Sequence, residues 1–83
     1  MAYQFNRADI NEIVRIVLRI RQRRNDEAMN LIDNFIVYLR TYAMDDVIDE
    51  FDTALNLLAG GFNQEAINTI FHYIHDFNER DWR

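Results

Sequence analysis

The sequence predicts an all-α protein: a compact four-helix bundle, up-down-up-down, with helices over about 7–24, 26–43, 46–59 and 64–79. Three observations carry that reading. Apolar residues recur at three- and four-residue spacing in four successive segments. Proline is absent and Gly60 and Gly61 are the only glycines, whereas strand-rich folds place turn residues every 8 to 12 positions. The connections are only a few residues long, which favours antiparallel sequential neighbours. Residues 1–83 read as a single helical domain with one core, near the lower size limit for unaided folding.

The first helix opens with Asn6 as N-cap and Asp9 three residues on, while Phe5 and Ile10 stand where a hydrophobic staple forms. Ile10, Ile13, Val14, Val17 and Ile20 make its core stripe, flanked by Ile16 and Leu18. At 100° per residue this apolar arc spans about 200°, wide for a helix packed on one side only. The pattern breaks between Arg21 and Glu27 without glycine or proline. Asn25 is the expected punctuation there, either closing helix 1 in a left-handed conformation or capping helix 2, although one continuous helix also satisfies the pattern.

Helix 2 buries Met29, Ile32, Phe35, Ile36, Leu39 and Ala43, again over about half its circumference. Asp45 is placed as the cap of helix 3, whose stripe is Val47, Ile48, Phe51, Ala54, Leu55 and Leu58. Gly60 is expected to end that helix. Phe62, Asn63 and Ile67 then repeat the staple-and-cap geometry at the start of helix 4, which buries Ala66, Ile67, Ile70, Phe71, Tyr73, Ile74 and Phe77. The chain reads as free of internal repeats and low-complexity tracts.

Charge is the strongest irregularity. Residues 1–24 hold six arginines against Asp9 and Glu12, a balance of +4; residues 25–83 hold three arginines against twelve acids, or −9, which together give the net −5. Every basic residue is arginine and lysine is absent. Three readings follow from the basic helix 1 on an acidic body. Its arginines pair internally with helix 2 or helix 3; or they dock a protein through bidentate carboxylate contacts; or Arg15, Arg19, Arg21, Arg23 and Arg24 bind phosphate. The acidic cluster Asp45, Asp46, Asp49 and Glu50, with Asp52, reads as a solvated helix face or as a mimic of a phosphate backbone. It lacks the pattern of a calcium loop.

Catalytic material is sparse. There is no cysteine and no serine, and the only histidines, His72 and His75, lie three apart on the polar side of helix 4, where pairing with Asp76 or Glu79 at i+4 gives two metal ligands against the three or four that a zinc site needs. No enzyme activity, cofactor or metal is expected. No uninterrupted apolar run approaches the roughly 20 residues of a membrane span, and no stretch reads as a signal peptide. Absence of cysteine suits a reducing compartment, so a cytoplasmic location is expected. Tyr3, Tyr38, Phe62 and Trp82 are the aromatic candidates for exposed anchors. The expected function is that of a small non-catalytic regulator that binds another protein through a helical surface, of inhibitor, immunity-factor or adaptor type. Alternatives are a nucleic-acid-binding or nucleic-acid-mimicking protein and a self-assembling helical protein, the last including a homodimer through helices 1 and 2.

Overall fold

The computed structural model describes residues 6–42 and 45–73. Within them the chain forms α1 (Arg7–Arg21), α2 (Asn25–Arg40), α3 (Asp45–Ala59) and α4 (Asn63–Tyr73), with no strand among the described residues. The predicted bundle of four helices is what the chain adopts. Helix 2 ends at Arg40 rather than at the expected 43, because the Thr41 and Tyr42 amides donate to Tyr38 O at 3.2 Å and Leu39 O at 3.0 Å and tighten the chain into a turn. The expected continuation of helix 4 to residue 79, and Phe5, Ala43, Ile74, Phe77 and Trp82, lie outside the described residues.

α1 begins as its sequence dictates. Asn6 Oδ1 accepts from the Asp9 backbone amide at 2.8 Å, and the Asn6 amide donates to Asp9 Oδ2 at 3.2 Å. This reciprocal box satisfies two of the backbone donors that a helix start leaves open. From there Ile13, Ile16 and Ile20 point into a core shared with Ile32 and Leu39 of α2, Phe51 of α3 and Ile70 of α4, all almost fully buried. Each such side chain contributes about 1.5–3 kcal/mol by leaving water. Ile16, expected on the flank, is inside, and Val14, expected in the stripe, is half-buried. The wide arc of α1 is thus used by two neighbours, α2 and α4.

The turn after α1 departs from expectation. Helix 1 ends at Arg21 rather than near 24, because Arg23 takes φ 59°. The Arg24 amide donates to Arg19 O at 2.9 Å and the Arg23 amide to Ile20 O at 3.0 Å, which closes the helix as a Schellman motif. Arg23, not Asn25, holds the left-handed position. Nor does Asn25 cap α2: Arg24 occupies the cap without a side-chain bond, and Asn25 is the first helical residue.

The turn after α3 has the same construction. Phe62 donates to Leu57 O at 2.8 Å and Gly61 to Leu58 O at 3.1 Å, and Gly61 carries φ 83°. Gly61, rather than the expected Gly60, is therefore the left-handed residue. Asn63 is the first residue of α4 rather than its cap, and Asp45 likewise lies inside α3.

Both asparagines are spent across the molecule. Asn25 Nδ2 donates to Asn63 Oδ1 at 2.9 Å and to Leu58 O at 3.2 Å; Asn63 Nδ2 donates to Asn25 Oδ1 at 2.8 Å and to Ile20 O at 3.2 Å. The bonds correspond in pairs: Asn25 to Leu58 O matches Asn63 to Ile20 O, and each asparagine amide meets the other's side-chain oxygen. They hold both hairpin turns at one end of the bundle. The two asparagines are 38 positions apart, and the same shift carries the bounds of α1 onto those of α3. It aligns Asn25, Glu27, Ala28, Asn30 and Ile32 with Asn63, Glu65, Ala66, Asn68 and Ile70. The chain does contain an internal repeat, contrary to the reading of the sequence. Too few of its positions are identical outside this N-x-E-A-x-N-x-I stretch for the periodicity to stand out.

Candidate functional site

Two places gather the residues singled out by the sequence. The first is an open groove of about 570 Å³ between α1 and α2, lined by Ala8, Asp9, Glu12, Arg15, Leu31, Asn34, Phe35 and Tyr38. It unites Arg15 and Tyr38, which sequence reasoning proposed separately, with neighbours it did not propose. Helical spacing places Ala8, Glu12 and Arg15 along one edge, and Leu31, Asn34 and Tyr38 along the other. Arg15 reaches Glu12 at 4.0 Å on the exposed rim. Phe35, deeply buried, stacks on Tyr38 with ring centroids 5.8 Å apart and meets Phe51 edge-on at 5.2 Å, so the aromatic wall is anchored in the core. Tyr42 packs edge-to-face on Tyr38 at 5.2 Å.

Asp9 is the chemically unusual wall residue, only 3% exposed and already engaged by the capping box. Its counterpart in the second hairpin is Val47, equally buried. Hydrogen bonding to Tyr42 and to Asp9, then burial, raises the pKa of the Tyr38 hydroxyl well above the usual 10.0. The groove therefore offers an aromatic and aliphatic floor, a carboxylate at its base, and one guanidinium and one carboxylate on its rim. A carboxylate used as a helix-start residue gives no sequence signal of a second use, which is why Asp9 was missed.

The second place is the α1–α2 turn. Arg19 Nε lies 3.2 Å from Glu27 Oε2, and Arg24 reaches the same oxygen at 3.6 Å. The internal pairing expected for helix 1 is thus made with α2, through Glu27, and not with α3. Topology explains the choice: the parallel helices α1 and α3 set the arginine-rich end and the Asp45, Asp46, Asp49 and Glu50 end at opposite ends of the bundle. Asp45, Asp46 and Asp49 are exposed and Glu50 is half-buried, and none forms an ion pair among the described residues. Arg21 and Arg23 are exposed and also have no carboxylate within ion-pair reach there.

His75 and Trp82 lie outside the described residues; His72 is in the backbone of α4. Among the described residues no group of three or more His, Asp or Glu is placed to hold a metal, and no helix is long and apolar enough to cross a membrane. No protein family, curated protein or solved structure matches the chain.

Proposed function

We propose that the protein is a small non-catalytic binding module that takes a segment of a partner protein into the α1–α2 groove, as an inhibitor, immunity factor or adaptor would. The groove itself carries the reading. An aromatic anchor wall with a polar rim is the composition of an interface core surrounded by specificity contacts. The complementary ligand is an amphipathic segment that lays apolar side chains on Leu31, Phe35 and Tyr38 and sets a cation toward Glu12 and an anion toward Arg15. The lack of cysteine suits a reducing, cytoplasmic setting for this work.

The test is affinity capture from the native lysate with nuclease present, using wild type and the groove-filling variant Ala8→Arg. Ala8 is exposed and lines the groove, so the substitution obstructs it without entering the core. One stoichiometric protein held by wild type and lost by Ala8→Arg is expected. Equal recovery by both forms would remove the groove from the account, and recovery of bait alone would sink the partner reading.

A further inference from the structure

The two hairpin turns are built alike, and that likeness makes one residue stand out. Both close their first helix with the same pair of backbone bonds, and both require a left-handed residue at the next position. In the second turn the residue is Gly61, for which φ 83° carries no steric penalty. In the first it is Arg23, whose Cβ makes φ 59° unfavourable. The backbone favours glycine at both positions, and arginine at one returns only the weak, salt-screened attraction of an exposed cation to the negative end of α1: Arg23 pairs with no carboxylate among the described residues. Strain retained for so small a structural return is what functional positions show.

Its surroundings define the chemistry. Arg19 and Arg24 are held on Glu27, which neutralises part of the turn's charge and fixes its base. Arg21 and Arg23 are left as two uncompensated guanidiniums flanking Gln22. Guanidinium groups recognise paired oxygens by two parallel hydrogen bonds. A long polyanion suits the place poorly, since Asp26 and Glu27 line the adjoining cavity of about 360 Å³ and the chain after residue 24 carries −9. A short, local patch of carboxylates suits it well.

We propose that the α1–α2 turn is a carboxylate-recognition site, in which Arg21 and Arg23 receive an acidic patch on a partner protein. The site is separate from the groove and does not depend on it. Its role is orientation and rate of encounter more than affinity, as for exposed charges at interfaces generally.

Arg23→Gly separates the two explanations of the residue, because function and stability move in opposite directions. Glycine relieves the backbone and removes the guanidinium. The measurements are thermal unfolding, and a titration of 15N-labelled protein with a tetraglutamate peptide at low salt, followed by the Arg21–Arg24 amide and side-chain Nε signals. Expected for wild type are saturable shifts confined to that turn. Arg23→Gly raises Tm by roughly 2–4 °C and weakens the peptide by roughly fivefold. Arg21→Gln, at a helical position without backbone strain, weakens it similarly and lowers Tm slightly, because a cation is lost from the negative end of α1. A fall in Tm for Arg23→Gly would make the residue structural and overturn the proposal. So would peptide shifts that are absent, scattered or indifferent to both substitutions. A tetranucleotide that binds the same turn more tightly than the peptide would replace the proposal with phosphate recognition.

Discussion

At the scale of single residues, the asparagine pair does the most unexpected work. Asn25 and Asn63 use four side-chain bonds to tie the start of α2 to the end of α3 and the start of α4 to the end of α1. Truncating either leaves the other's side-chain oxygen without its donor in a half-buried place, while Leu58 O and Ile20 O keep their turn bonds from Gly61 and Arg23; such an unmet bond costs about 1–3 kcal/mol. Asn25→Ala is expected to lower Tm by about 10 °C in a domain of this size. Asn63→Ala should cost about as much, and the double variant less than the two together, with a coupling of about 1 kcal/mol. Strict additivity in thermal melts would show that the amides do not act as a pair. Tyr38 gives a second residue-scale expectation. Its pKa is raised on folding by Tyr42 and Asp9, so its contribution to stability is complete below the usual 10.0 and is lost as pH rises beyond it. Ultraviolet titration of the phenolates should show a late-ionising step. Tyr38→Phe should remove that late step and flatten the alkaline loss of stability; an unchanged profile would rule out Tyr38 as its source.

At the scale of elements, the helices themselves were legible and their joints were not. Periodicity alone placed α1 to α4, because an amphipathic stripe reports burial directly. The Asn6–Asp9 start was legible because the signal is local and lies within four residues. The joints failed for two reasons. A left-handed helix end is read from glycine, so Arg23 concealed the first turn and the Gly60–Gly61 pair left a choice of one position in the second. Asparagine before an apolar run is read as a cap, yet Asn25 and Asn63 form bonds to residues 33 to 43 positions away. The groove was half legible for a related reason: Arg15 and Tyr38 stood out by charge and aromaticity, whereas Asp9 already had a local role. The joints also yield a prediction. At Gly61 a Cβ meets no atom within 4 Å, so only the backbone opposes a side chain there. Gly61→Ala should therefore cost about 1 kcal/mol, measured by urea unfolding with an unchanged m value. Gly60→Ala meets the Phe62 ring at 3.0 Å instead, a contact that the exposed ring can relieve by turning away. A smaller loss at Gly61 than at Gly60 would contradict the assignment of the left-handed position.

At the scale of the whole molecule, the repeat decides how the chain must fold. Each hairpin presents an apolar face that its own two helices cannot cover. Ile13, Ile16 and Ile20 need Ile70 and Phe51 as much as they need Ile32 and Leu39, and all of them belong to one cluster. The hydrogen bonds follow the same rule, since Asn25 is satisfied only by residues of the second hairpin and Asn63 only by residues of the first or by Asn25. Helices of 15 and 16 residues, such as α1 and α2, have little stability by themselves in water. A fragment of about 40 residues buries too little surface to compensate. The peptide of residues 1–42 should therefore show mostly coil by circular dichroism at micromolar concentration. The full chain should unfold in one cooperative step, with coincident far-ultraviolet and tyrosine-fluorescence transitions. The likeness of the two hairpins sharpens the expectation. If the first hairpin gains helix at all, it should do so only as concentration rises, because a second copy is then the one available substitute for α3–α4. Concentration-independent helicity in the fragment would mean that a hairpin is a folding unit by itself, and that the shared core and the asparagine pair join two domains rather than create one.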